Sequence, residues 1–131
     1  MLVKLDHIQL AMPKGEEAKA RAFYHGMLEL EELEKPETLN ARGGCWFAGP
    51  GLRLHLGVEE PFQPARKAHP AFQVADLAAL AEKLAKHHYE VIWDTLLPMR
   101  RFYSADAFGN RIEFLENYDN PLQLRQTATI A

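Results

Sequence analysis

A chain of 131 residues, 47% of them hydrophobic, suits one compact domain whose core needs neither disulfides nor a structural metal. The formal net charge of −3 offers no global attraction to nucleic acid or to an anionic membrane, so small molecules are the expected partners. Cys45 is the single cysteine, and the start MLVKLDHIQLAMPKG has neither the layout of a signal peptide nor an apolar run long enough to span a bilayer, which points to a cytoplasmic protein.

In chain order, residues 3–12 read as a strand and 15–28 (GEEAKARAFYHGML) as a helix, with Phe23 and Tyr24 as bulky anchors. Three further strands are expected at 29–35, 43–48 and 52–58. The prolines of PFQPARKA (61–68) argue against continuous secondary structure there and mark a linker. The same order then returns: a strand at 69–74, a helix at 76–87 capped by Asp76 with Leu77, Leu80, Ala81 and Leu84 at helical spacing, and strands at 89–94, 100–105 and 110–116. The recurrence extends to residues. GLRLHLG (51–57) aligns with GNRIEFL (109–115), matching His55 to Glu113, and DHIQLAM (6–12) aligns with HPAFQV (69–74), matching His7 to His69, at nearly equal offsets. The expectation is an α+β fold of two tandem βαβββ modules, 1–60 and 69–118, in a single domain over 1–131 with a tail at 119–131.

Strand alternation assigns the faces. Leu5, His7 and Gln9 share a side opposite Ile8, Leu10 and Met12, and His69, Ala71 and Gln73 lie opposite Pro70, Phe72 and Val74. The last strands put Arg53 with His55 and Arg111 with Glu113, opposite Leu54, Leu56, Ile112 and Phe114. A sheet with helices on its apolar face must leave such a polar face in water or curl it around a wet cavity. Histidine and carboxylate converging on a cavity are the makings of a metal site.

LDHIQLAM at the start, FYHGMLEL after the first helix, HPAFQVADL opening the second half and FGNRIEFLE closing it resemble the vicinal oxygen chelate superfamily, which includes glyoxalase I, the bleomycin and fosfomycin resistance proteins and the extradiol dioxygenases. The resemblance covers about residues 3–116 and implies a U-shaped, cup-like mixed sheet with helices on the outer face. The cup would surround one divalent transition metal (Mn, Fe, Co, Ni or Zn), its paired modules coming from one chain or, by exchange, from two chains of a homodimer. Carried over by position, the metal residues are His7, His69 and Glu113. The fourth symmetric place, a carboxylate in glyoxalase I, is His55, which argues against a glutathione-dependent glyoxalase; the roles open to it are direct ligand, support for a ligand, or general base. Tyr103 lies where the fosfomycin enzymes have a substrate-contacting tyrosine, whereas Gln9 replaces their threonine and Leu122 stands at the place of their phosphonate-binding arginine. Fosfomycin is therefore not the expected substrate.

The function implied is a metal-dependent enzyme of glyoxalase or dioxygenase type that chelates a substrate through two adjacent oxygens, with lyase, isomerase, transferase and dioxygenase chemistry all open. His55 and Tyr103 are the catalytic candidates, and Gln9, Arg53 and Arg111 the substrate-binding ones. The two arginines can hold a carboxylate or phosphonate by bidentate bonds, or lie at the cup's edge against Glu59 or Glu116. The alternative is a non-catalytic drug-binding protein of the bleomycin-resistance type. Elsewhere the plain readings prevail: Arg66 with Lys67 and Arg100 with Arg101 as solvated loop charges, Glu29, Glu31, Glu32, Glu34 and Glu37 as a solvated face, His25, His87 and His88 as surface residues, and Cys45 as a core thiol. Gly51 and Gly109 are expected to supply positive φ ahead of the last strands.

Overall fold

Each βαβββ unit forms a four-stranded sheet with one parallel pair, and the two sheets share one topology. The computed structural model describes residues 1–116. The first sheet runs in the order β1-β4-β3-β2, from β1 (Ile8–Met12), β2 (Glu31–Leu33), β3 (Cys45–Gly49) and β4 (Leu52–Val58). The second repeats it as β5-β8-β7-β6, from β5 (Ala71–Val74), β6 (Ile92–Asp94), β7 (Arg101–Ala105) and β8 (Arg111–Glu116). The first strand of each module pairs in parallel with its last, and the remaining pairs are antiparallel. β1 and β5 thus each occupy the outer edge of their own sheet. Gly51 and Gly109 do take positive φ, at 72° and 91°.

The apolar faces drive assembly. Leu10, Met12, Phe47, Leu54, Leu56, Phe102, Ile112 and Phe114 are buried in one cluster with Phe23, Leu77 and Leu84 from the helices, so the core is continuous across both modules. α3 (Leu77–Lys86) has the expected cap, Asp76 Oδ1 accepting from Ala79 N at 3.0 Å. The helix expected at 15–28 is split: α1 (Glu17–Arg21) continues as a π-helical stretch, Ala22–Met27. That wider turn lets the consecutive Phe23 and Tyr24 both be fully buried. A short helix that the strand pattern did not announce, α2 (Glu37–Asn40), follows Pro36, whose fixed φ suits a helix start. The first strand begins at Ile8 rather than residue 3, because its parallel partner β4 starts only at Leu52 and offers no backbone opposite residues 1–5. Leu2, Val3 and Leu5 are exposed as a result.

A buried polar cluster joins the modules. Asp106 Oδ2 accepts from Tyr24 OH at 2.6 Å and from Asn110 Nδ2 at 3.0 Å, while Oδ1 accepts from the backbone N–H of Phe108 and Asn110 at 2.9 and 3.0 Å. Asn110 Nδ2 also donates to Ala11 O at 2.8 Å, and its Oδ1 accepts from Ala65 N at 3.0 Å. One turn of module two therefore grips β1 of module one and the linker at once. Burial, reinforced by the Asp106 carboxylate, pushes the Tyr24 phenol well above its ordinary pKa. Before β3, Gly44 has φ +86°, and a Cβ there would lie 2.1 Å from Leu56 O, so only glycine fits.

Cys45, 1% exposed, is the expected core thiol, and burial pushes its pKa up to about 11. Since the folded value lies above the ordinary 9.0, the fold favours the protonated thiol; its contribution is intact below pH 9 and is lost as pH rises from there toward 11. The native protein should be inert to a disulfide reagent such as DTNB at pH 8 and react only when a denaturant is added. Rapid reaction without denaturant would contradict this burial.

Candidate metal centre

The first module presents a stack of rings. Register sets Gln9 beside His55 across β1 and β4, and Trp46 beside His55 across β3 and β4. The His55 ring lies flat between two others, 4.1 Å from Trp46 and 4.2 Å from His7, with interplanar angles of 4° and 19°. Burial, then the neighbouring His7, lowers the His55 pKa, so this imidazole is neutral at pH 7. His7 Nδ1 lies 2.8 Å from Asp6 Oδ2, and since a carboxylate can only accept, Nδ1 carries the proton. This leaves Nε2 with a free lone pair. The same bond holds the exposed Asp6 carboxyl below its ordinary pKa. Gln9 folds over Gly57, where a Cβ would meet its Nε2 at 2.5 Å, and Arg53 is exposed on β4.

The second module supplies a histidine and a carboxylate in contact. His69 precedes β5, and Glu113 N donates to Pro70 O at 3.0 Å, which locks β8 beside it. His69 Nδ1 donates to Lys67 O at 2.8 Å, so its Nε2 presents a lone pair, and 3.2 Å away stands Glu113 Oε1. Two acceptors face each other there, an arrangement that a proton or a cation between them satisfies. Tyr103 is Glu113's cross-strand neighbour, edge-on to the His69 ring at 5.4 Å, with the Arg111 guanidinium 4.0 Å above its own ring. Arg111 is therefore on the polar face, as expected.

Arg101 corrects the sequence reading. It is no solvated loop charge: it opens β7 with a side chain 12% exposed, Nη1 donating to Tyr103 OH at 3.1 Å and Glu113 Oε2 at 3.3 Å, and Nη2 pairing with Asp94 Oδ2 at 3.1 Å. Its neighbour Arg100 is exposed and stacks on Trp93. Sequence reasoning also passed over Trp46, Asp6 and Asp94. The available signals were the adjacency of Asp6 to His7 and the two-residue spacing of Arg101 from Tyr103, which puts both on one face of β7.

His69 and Glu113 are thus brought together, whereas His7 and His55 sit on the other sheet. Among the described residues, no group of three or more His, Cys, Asp or Glu side chains could hold a metal ion within one chain. The donor types nonetheless suit one: two imidazole nitrogens with free lone pairs and a carboxylate oxygen match a divalent transition ion. Leu122 lies outside the described residues.

The model of the Glyoxalase/Bleomycin resistance protein/Dioxygenase superfamily matches residues 4–114. The chain belongs to this superfamily. Solved glyoxalase-superfamily structures align over most of its length. A glyoxalase family protein from Bacillus anthracis is 48% identical, with a TM-score of 0.85 over 90% of this chain and 98% of that one. A mutant of the fosfomycin resistance protein FosX from Listeria monocytogenes, complexed with Mn(II) and 1S,2S-dihydroxypropylphosphonic acid, is 20% identical, with a TM-score of 0.80 over 96% and 99% of the two chains. A glyoxalase/dioxygenase from Nostoc punctiforme is 21% identical, with a TM-score of 0.67 over 85% and 90%. No curated protein sequence matches significantly. The two tandem βαβββ modules expected from the repeated half, and the vicinal oxygen chelate fold implied by the resemblance, are thus the fold of this chain.

Proposed function

We propose that this protein is a metal-dependent enzyme of glyoxalase or dioxygenase type, acting on a small molecule with two adjacent oxygens. The observation that carries the reading is the contact of His69 Nε2 with Glu113 Oε1, two acceptors 3.2 Å apart with nothing but a proton or cation to reconcile them. His7, its Nδ1 committed to Asp6, supplies the third donor. Since the His7 half and the His69–Glu113 half do not meet in one chain, the complete site joins His7 of one subunit to His69 and Glu113 of the partner subunit in a homodimer. The edges of β1 and β5, unpaired among the described residues, and the exposed Leu2, Val3 and Leu5 beside His7, support that pairing. The Mn(II) and the oxygen-rich phosphonate bound by the FosX mutant support a divalent ion and an oxyanionic small molecule.

A divalent ion held there would act as a Lewis acid on the substrate's oxygens. The protein's own residues do the rest. His55, neutral and walled by Trp46 and His7, is assigned the base that takes a substrate proton. Tyr103 OH already accepts from Arg101, which leaves its own hydrogen free to donate to a substrate oxygen. Gln9, Arg53 and Arg111 are assigned to orient the substrate, the arginines through any carboxylate or phosphonate it carries.

Elemental analysis of the untagged protein tests the reading. Near one transition-metal ion per chain is expected, falling to background in His7→Ala/Glu113→Ala. A protein that is metal-free and refuses added Mn, Fe, Co, Ni and Zn would instead favour the drug-binding module.

A further inference from the structure

Glu113 is held at both oxygens. Oε1 faces His69 Nε2 at 3.2 Å, and Oε2 accepts from Arg101 Nη1 at 3.3 Å. Arg101 is itself tied to Tyr103 OH and Asp94 Oδ2, and its Nε is buried with no partner among the described residues. A nearly buried guanidinium with an unmet N–H is an expensive way to fill space, since apolar side chains of similar volume commonly stabilise as well or better. Its placement therefore asks for a role beyond packing.

We infer that Arg101 is a positioning residue that occupies Glu113 Oε2, so that the carboxylate can give a bound ion only Oε1 and one coordination position stays open beyond the two that a chelating substrate takes. This rests on the metal-holding role proposed above. A carboxylate with both oxygens free can chelate a cation through the pair. Here, chelation would require breaking a charge-assisted hydrogen bond. The saving matters because a substrate with two adjacent oxygens needs two neighbouring positions. Three single-atom protein donors leave about three of six octahedral positions, whereas a chelating Glu113 leaves about two, with none to spare once substrate is bound. Asp94 balances the guanidinium charge, so Glu113 is oriented without losing its full negative charge as a donor. The planar fork explains arginine over lysine: it reaches Asp94, Tyr103 and Glu113 at once.

The test is water-proton relaxation of the full-length protein loaded with Mn(II), for wild type, Arg101→Met and Arg101→Lys. Relaxivity per bound Mn(II) should fall by about a third in the Met variant, as about three exchangeable waters become two, and recover at least partly in the Lys variant. Infrared difference spectra of the wild type on adding Mn(II) give a second readout that needs no variant. They should show the wide splitting of carboxylate stretches that marks one-oxygen ligation. Equal relaxivity in wild type and Arg101→Met, or a narrow chelate-type splitting in the wild type, overturns the inference and leaves the metal-holding role standing. A wild type that binds neither Mn(II) nor any of Fe, Co, Ni and Zn overturns both.

Discussion

Neither His7→Ala nor His69→Ala protein is expected to retain a divalent ion alone, yet a 1:1 mixture of the two, allowed to exchange subunits, should recover about a quarter of the wild-type metal. The arithmetic follows from a site shared between subunits. Random exchange makes about half the dimers mixed, and in each mixed dimer one site collects both defects while the other has His7 and His69 intact. A site built within one chain would recover nothing, because every chain carries a lesion. Light scattering on the same samples should report a dimer for both variants. His7 is exposed, and neither it nor His69, whose hydrogen bonds among the described residues go to Lys67 O and Glu113, belongs to the buried apolar cluster, so neither substitution opens a cavity in the core. Metal recovery at background level in exchanged dimers would refute the shared site.

Asp106→Ala should destabilise the protein by about 3–5 kcal/mol, a large effect for a side chain that is none of the proposed metal ligands. The carboxylate is 5% exposed and accepts from Tyr24 OH, Asn110 Nδ2 and two backbone N–H groups. Alanine leaves these four donors, three of them in buried bonds, facing a void, and unmet buried donors cost more than the bonds themselves contribute. Asp106→Asn should lose less, since its oxygen still serves the backbone pair while its amide opposes Tyr24 and Asn110. Tyr24→Phe removes a single bond and should cost about 1–2 kcal/mol. Urea unfolding followed by circular dichroism checks the series. If Asp106→Ala lost less than about 1 kcal/mol, the cluster would not be the bolt between the modules.

The polar faces were legible because strand alternation is a local property: His7 and Gln9, and Arg111 and Glu113, fall on one side in any strand with a period of two. The repeated GLRLHLG and GNRIEFL segments carried the module order for the same reason, and the family resemblance supplied the ligand set that alternation alone left open. What escaped depended on neighbours distant in sequence. Arg101 read as a loop charge because nothing within a few residues shows that Asp94 and Glu113 flank it across two strand pairings. Trp46 drew no assignment from its local sequence, because only the β3–β4 register lays it on His55. The π-helical turn at Ala22–Met27 answers to the demand that Phe23 and Tyr24 both be buried, a demand set by the second module and by Asp106.

Periodicity and turn residues act over a few positions, which is why the two modules, their order and the polar side of each strand could be read along the chain. The contact of His69 with Glu113, and the stacking of His7 on His55 in the other sheet, emerged from the folded arrangement alone. Sheet register and the packing of one module on the other come from contacts tens of residues apart, and those rest on the shape of a shared core rather than on any local pattern.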